Sequence, residues 1–474
     1  MINFFIKFFN ISTIIFVFNI LIFNILINFF PLHLALICTL SIIFILNFLF
    51  IIYAFDIKKN REYFLLGLIF LSLTFRILEY FLFQQILFYF ESPTLGWVIT
   101  ISVTFFLKII FYKFYFDLKI FKNKNTKKKI LIFSPDIKNG GAEKNISILL
   151  DSLDTKKFEI SLILWKNSLV QNKKIKKIVI KKSKIRNSFF IILFIIIKKN
   201  PDYIFSSLNH LNIFLGLIRI ISGSKSKQII RESNYLSYKL KDEYKNNQLK
   251  ILIRKFLTFI TYNYSDKIIC PSREINHDLI KNFKIKKSIL RLIPNLFDGK
   301  KISRQRDFKF MKKSLISIGR LELQKDYQFM LKAFKESLKF KDNTLLIVGN
   351  GSEKKNLTQL INKLSLQSKV KIIKFQNDIY NFLFNSKALL MTSKYEGMPN
   401  IVLESCHLGI KCLLTDFPGS SFFKKYNNVK ISKKEISLYS KEIVKLDEKR
   451  VFSKSFNEDF LKKDSKKIFL DCFN

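Results

Sequence analysis

The sequence is short of acid. Its 474 residues carry 36 Asp and Glu against 81 Lys and Arg, a formal net charge of +45. Cysteine is also scarce: Cys38, Cys270, Cys406, Cys412 and Cys472 are scattered, with no Cys-x-x-Cys pair. That excludes a spaced zinc site and a disulfide framework, and it fits a reducing compartment. There is no helix-turn-helix, zinc-finger or RNA-binding signature, so the charge alone does not make a nucleic-acid binder. No repeat of short fixed period occurs, and no Asp-x-Asp. Much of the lysine excess reads as compositional bias. Its physical consequence stands: attraction to anionic lipid surfaces and to phosphorylated ligands. The length suits more than one domain and is ample for a buried core.

Charge is thinnest at the start. Residues 1–112 hold six Lys or Arg and four Asp or Glu among long apolar runs. Runs near 9–29, 33–55, 63–89 and 95–115 each approach the roughly 20 residues of a bilayer-crossing helix. The first is too long for a simple signal peptide. Lys58, Lys59 and Arg61 between the second and third runs, and the lysines from Lys119 to Lys129, orient about four spans by the positive-inside tendency. The expectation is an all-α transmembrane region over 1–118, in a multi-pass protein of the inner (cytoplasmic) membrane with everything after the fourth span in the cytoplasm. Arg76 and Glu79, three apart in the third run, can pair on one helix face.

From Lys127 the pattern becomes α/β. "KILIFSP" (129–135), "FEISLILW" (158–165), "DYIFSSL" (202–208), "KQIIRES" (227–233) and "DKIICPS" (266–272) read as strands. A second series runs through "KSLISIGRL" (313–321), "NTLLIVGNG" (343–351), "KVKIIKF" (369–375), "ALLMTS" (388–393) and "IKCLLTD" (410–416). Strands alternating with amphipathic stretches argue for parallel sheets covered by helices. Two series give two doubly wound domains, joined near "IPNLFDGKK" (293–301), where turn residues cluster.

In such sheets ligands bind beyond the carboxyl ends of the strands. Three stretches lie there. In "SPDIKNGGAEK", Gly140 and Gly141 let backbone approach a ligand at a helix N-terminus, although Gly-Gly after a strand is more often only a turn. In "IGRLELQKDYQF", Arg320 and Lys325 sit between a strand and a helix, where a bidentate and a point cation suit a diphosphate. Most basic residues here are solvated surface charges; position sets these two apart. In "EGMPNIVLE", Glu396 follows a strand, Pro399 fits the first helical turn, Gly409 fits a C-cap, and amides near Met398 and Asn400 open to a ligand. Glu404 lies about a turn further in and need not share a face with Glu396.

These residues, in this order from about 129 to 440, resemble the family 4 (group 1) retaining glycosyltransferases of the GT-B fold. "GGAEK" is similar to the family's glycine loop, "IPNLFD" to its Pro-Asn-x-x-Asp segment, and "GRLELQKD" to its Arg–Lys diphosphate motif. "VGNGSEKKNL" resembles its glycine turn, and "EGMPNIVLE" its Glu-x7-Glu signature. The resemblance implies two Rossmann-like domains facing a central cleft: 127–295 on the acceptor side and 300–445 on the nucleotide-sugar side. A tail, 446–474, would pack back on the first domain. It implies Glu396 as the catalytic carboxylate against the transferred sugar, and Arg320 and Lys325 on the diphosphate. Glu404 would take the donor ribose, the amides of Met398, Pro399's neighbour Asn400 and their loop the sugar hydroxyls, and Gly140 and Gly141 the phosphates. Phe375 and Gln376 would face the base, and His210 is a candidate sugar contact, with a structural histidine as the equal alternative. No cofactor and no metal are implied, in agreement with the missing Asp-x-Asp. The implied partners are a nucleotide-sugar, first of all a UDP-sugar; a lipid-linked saccharide or glycolipid acceptor; and the membrane, but no nucleic acid. The implied function is sugar transfer in cell-surface polysaccharide or glycolipid synthesis. A GT-B nucleotide-sugar epimerase and a non-catalytic binder of the same fold remain open alternatives, separable by turnover.

Overall fold

The structure is a computed structural model that describes residues 15–55, 76–88, 92–104, 127–137, 140–167, 174–182, 184–245, 247–299, 302, 314–376, 379–462 and 465–473. The chain divides into two compact units. One comprises Met1–Lys129, Lys182–Asp202 and Phe214–Lys227; the other comprises Ile130–Lys181, Tyr203–Ile213 and Gln228–Asn474.

In the first unit helices α1 (15–26), α2 (Leu32–Phe55), α3 (76–87) and α4 (93–104) pack around Phe23, Leu36, Phe83, Trp97 and Ile101. The Trp97 ring lies 5.1 Å from both Phe23 and Phe83, edge-on to the latter. Arg76 Nη1 pairs with Glu79 Oε2 at 2.5 Å, and Glu79 Oε1 accepts from Thr104 Oγ1 at 2.9 Å. Both charges are buried and paired, as buried charges must be.

The expected transmembrane region is corrected here. Among the described residues no helix is long and apolar enough to cross a membrane. The reason is where the helices stop. The first apolar run turns at 27–30, before Pro31, α3 ends in a turn at Phe88, and α4 begins only at Pro93. Within the described residues α1, α3 and α4 each run about 12 residues, or ~18 Å, against a hydrocarbon core of ~30 Å. The side chains of α2 are described only for residues 32–46. The multi-pass inner-membrane placement falls with the spans. Residues 1–14, 56–75, 89–91 and 105–126 of the expected spans and loops lie outside the described residues.

The second unit holds both sheets but for Lys128, Lys129 and Lys227 at two strand starts. Strands β1 (Lys128–Ser134), β2 (Phe158–Leu164), β3 (Lys176–Val179), β4 (Tyr203–Ser206), β5 (Lys227–Arg231), β6 (Lys267–Cys270) and β7 (Leu290–Leu292) form one sheet, ordered β3-β2-β1-β4-β5-β6-β7. Strands β8 (Leu315–Ile318), β9 (Leu345–Val348), β10 (Val370–Ile373), β11 (Ala388–Met391), β12 (Lys411–Thr415) and β13 (Val429–Ser432) form the other, ordered β10-β9-β8-β11-β12-β13. The registered pairs run parallel, such as Ile132 with Phe205 and Leu389 with Ile316. Central strands are buried along nearly their whole length, which is why they read as apolar runs without alternation.

Helices α5 (Gly141–Ser152), α6 (Phe189–Lys199), α7 (Asn209–Ser222), α8 (Leu236–Tyr244), α9 (Gln248–Asn263) and α10 (Arg273–Phe283) follow strands of the first sheet. Helices α11 (Tyr327–Ser337), α12 (Lys354–Lys363), α13 (Ile379–Phe384), α14 (Asn400–His407) and α15 (Ile436–Lys445) belong to the second. Side-chain caps mark several starts: Ser272 accepts from the Ile275 amide before α10, and Asp326, in the left-handed region, accepts from the Phe329 amide before α11. Residues 465–473 return to the first sheet. Phe473 meets Tyr203 at 5.6 Å and Phe205 at 6.1 Å, and Phe469 meets Phe205 at 5.8 Å.

Because Phe473 is fully buried in that cluster, Phe473→Ala should destabilise the sheet by about 3–5 kcal/mol. A lowered urea midpoint at unchanged slope is the expected result; an unchanged midpoint would show that the returning segment contributes no core.

Candidate functional site

The site begins at the carboxyl end of β11. The chain leaves β11 through Thr392 and Ser393, and the Glu396 amide donates to Pro418 O at 3.1 Å. Glu396 Oε1 accepts from Lys325 Nζ at 2.6 Å and from Ser393 Oγ at 2.9 Å. Lys325 closes the short 3-10 turn after β8 (Leu323–Lys325), and the Thr392 hydroxyl donates to the Lys325 carbonyl at 3.2 Å. Since β8 and β11 are neighbours, their exits lie side by side and the ion pair follows. Arg320, one residue past Gly319, is exposed, and among the described residues its side chain makes no hydrogen bond or ion pair. Its charge acts at longer range on Glu143 and Tyr395.

Glu404, on the buried face of α14, does not meet Glu396. Its Oε1 accepts from Lys144 Nζ, and Lys144 also donates to Tyr380 Oη at 2.5 Å. Lys144 comes from α5 of the first sheet, Glu404 and Tyr380 from helices of the second. Burial raises the Glu404 carboxyl above its usual value, and the Lys144 ammonium pulls it partly back. Burial pulls Lys144 down, but Glu404 and Tyr380 outweigh it and raise the ammonium. The two directions do not mirror each other. Lys144 stays protonated at neutral pH, and its charge favours the ionised form of Glu404. Beside them, burial and then Asp136 raise Glu143, opposed by Arg320 and Arg231.

Between these two acids the loop 397–400 is pressed against the first sheet. A Cβ on Gly397 would stand 2.2 Å from the Ser233 carbonyl oxygen, so no side chain fits there. Asn295, after β7, donates to Met398 O at 2.8 Å and to Asn400 Oδ1 at 2.6 Å. Its own Oδ1 accepts from Arg231 Nη2, while Arg231 Nη1 reaches Ser207 Oγ at 3.2 Å. Burial lowers Arg231 to about 10, still cationic at neutral pH. Asn400 Nδ2 donates to Gly141 O at 3.0 Å. Pro399 stands at the N-cap of α14 and not inside its first turn, leaving the first amides of the helix without intrahelical acceptors. Gly140, at φ 149, caps α5.

The structure thus draws Gly140, Gly141, Lys325, Glu396, Met398, Pro399, Asn400 and Glu404 into one connected group. Phe375 and Gln376 are exposed past β10; the Phe375 amide donates to Asn350 Oδ1 at 3.4 Å, and neither side chain bonds to that group. His210 opens α7 without a bond to any other candidate. Desolvation lowers it to about 4, with Lys239 and Arg254 adding to the shift; although it keeps solvent contact, its ring is neutral at physiological pH. Lys144, Tyr380, Asn295 and Arg231 complete the group; none was a candidate, Arg231 because its "RESNY" stretch matches the family's Arg-containing strand only approximately. Lys144 and Asn295 lie inside the quoted "GGAEK" and "IPNLFD" stretches. Tyr380 had no sequence signal. Among the described residues no group of three or more His, Cys, Asp or Glu is placed to hold a metal ion.

Comparison with known proteins meets this geometry. The family "Glycosyl transferases group 1" matches residues 298–457. A Campylobacter jejuni protein is 26% identical over 310 residues, 60% of this chain and 80% of the relative. It is named N-acetylgalactosamine-N,N'-diacetylbacillosaminyl-diphospho-undecaprenol 4-alpha-N-acetylgalactosaminyltransferase. An Escherichia coli UDP-Gal:alpha-D-GlcNAc-diphosphoundecaprenol alpha-1,3-galactosyltransferase is 23% identical, over 43% of this chain and 56% of its own length. The solved structure of Anabaena HepE in complex with UDP-glucose superposes at TM-score 0.53 and 15% identity, over 70% of this chain and 98% of that one, a likeness of fold. Its two parallel sheets give the chain the GT-B architecture, and with the group 1 match and these relatives the chain is a glycosyltransferase.

Proposed function

We propose that the chain transfers a sugar from a nucleotide-sugar, first of all a UDP-sugar, to a lipid-linked or glycan acceptor in cell-surface polysaccharide or glycolipid synthesis. The transfer retains anomeric configuration, as in the family 4 enzymes that the motifs resemble. The observation that carries this reading is the Lys325–Glu396 pair at the joined exits of β8 and β11, with Arg320, exposed at the β8 exit, making no side-chain bond among the described residues. Two cations at that point suit a diphosphate leaving group without a metal or other cofactor. A carboxylate held by Lys325 and Ser393 can orient sugar hydroxyls and stabilise positive charge growing at the anomeric carbon. Glu404 then accepts from the donor ribose. The amides of Met398, in the loop, and of Asn400, first in α14 after Pro399, meet the sugar, and Gly140 and Gly141 admit the phosphates. In this reading Phe375 and Gln376 line the base, and His210, neutral, is a sugar contact, with a structural histidine as the equal alternative. In the reaction the anomeric C–O bond to phosphate breaks. The acceptor oxygen bonds to the same face, and its proton passes to a phosphate oxygen of the leaving group. In this reading 300–445 is the donor side and 127–295 the acceptor side, with 446–474 as the tail.

The acceptor class rests on two supports. The printed names of the C. jejuni and E. coli relatives specify undecaprenol-linked acceptors. In addition, α9 turns Leu249, Leu252, Ile253, Phe256 and Phe259 outward, with Lys250, Arg254 and Lys255 among them. An apolar stripe edged by cations matches an isoprenoid chain carrying a diphosphate.

Purified protein incubated with UDP-, GDP- and dTDP-sugars should release nucleotide from one of them. Glu396→Gln should lower kcat about 100-fold, and Arg320→Ala should raise the donor KM about tenfold or more. No release from any donor, with unchanged variants, would leave a protein that keeps the fold without the reaction. Leu252→Glu with Phe256→Glu should reduce transfer to a polyprenyl-diphosphate acceptor while sparing a short water-soluble glycoside. Equal loss on both acceptors would remove α9 from acceptor recognition.

A further inference from the structure

Glu404 is 3% exposed, on a helix face packed with Leu403 and Cys406. A carboxylate in such a place needs a cation or a donor, or it takes up a proton. The second sheet and its helices provide neither among the described residues. The cation comes from the other half: Lys144 Nζ bonds to Glu404 Oε1. Lys144 is itself fixed, donating to Tyr380 Oη and lying 5.1 Å from the centre of that ring. The charged and titratable groups around Glu404 are therefore Lys144 and Tyr380, with Asp298 acting on Tyr380 from the segment after β7.

We infer that Lys144, four residues past Gly140, is the positioning residue that keeps Glu404 an ionised, correctly aimed acceptor for the donor ribose. Ribose recognition is then built from both sheets and is complete only when α5 and α14 are in contact. The inference rests on the donor-site reading above. Its chemistry is specific. A ribose diol presents two O–H donors, and an ionised carboxylate accepts both with lone pairs to spare for Lys144. A protonated carboxyl offers a donor where an acceptor is needed. Tyr380 limits the ammonium to one rotamer and directs a second proton away from the ribose. Arginine, at the same place, keeps the charge.

The test uses the full-length protein and three probes: UDP, GDP and inorganic pyrophosphate, which has the diphosphate but no ribose. Lys144→Met should weaken binding of the preferred nucleotide about tenfold or more and leave pyrophosphate unchanged, as should Glu404→Gln. The Lys144→Met deficit should shrink as pH rises, because loss of the cation raises the Glu404 carboxyl further and a more alkaline solution restores its charge. Lys144→Arg should restore both the affinity and the flat pH profile. Equal weakening of nucleotide and pyrophosphate would make Lys144 a phosphate contact or a merely structural residue and overturn the inference. So would a Lys144→Met protein that binds nucleotide normally while Glu404→Gln does not. If the wild-type protein binds neither nucleotide, the donor-site reading itself fails, a result distinct from either of these.

Discussion

The side chain of Asn295 is the junction on which the site depends. One amide accepts from a buried guanidinium on β5 and donates both to the Met398 carbonyl and to the Asn400 side chain. It stands between the last strand of the first sheet and the join to the second. A buried amide with all these bonds made is worth far more than its share of burial, because losing it strands Arg231 and two polar groups of the 398–400 loop at once. The position of that loop sets where the first amides of α14 point. It also sets how close Gly141 comes to Asn400. The geometry of two separate motifs is therefore held through one residue that belongs to neither.

Electrostatically the site alternates in sign. Lys325 is paired with Glu396, Glu404 with Lys144, and the charges of Arg320 and Arg231 both act on Glu143. The protein is strongly basic overall, yet one buried acid, Glu404, and two half-buried ones, Glu143 and Glu396, gather here. Each is compensated, and the compensating cation often comes from a different strand exit or from the other sheet. In the proposed reading an anionic ligand competes with Glu396 for Lys325, while Arg320 is open to it.

Much of the α/β portion was legible. The central strands are near-continuous apolar runs, and the segments read at 129–135, 202–208, 315–318 within 313–321, and 388–391 within 388–393 coincide with β1, β4, β8 and β11. The strands that escaped notice are β3, β7 and β13, with sequences KKIV, LRL and VKIS. They are short edges broken by cations, so neither periodicity nor hydrophobicity announces them. Lys325 and Glu396 stood out by position, but their contact depends on β8 lying next to β11, a matter of sheet order that no local pattern encodes. Lys144 was one cation among 81. The N-terminal apolar runs misled for a different reason: hydrophobicity is continuous across places where the helix stops, as at 27–30, and length was read from composition.

The return of Phe469 and Phe473 to the first sheet has a consequence for synthesis. The core of that sheet, with Tyr203 and Phe205 in it, is closed by side chains more than 260 residues further along the chain. During translation the first sheet emerges long before them and must wait, with an aromatic socket open, while the entire second sheet is made. The second sheet needs no such delayed part. The order of folding is therefore expected to invert the order of synthesis, with the later sheet complete first and the earlier one finished by the residues that leave the ribosome after it.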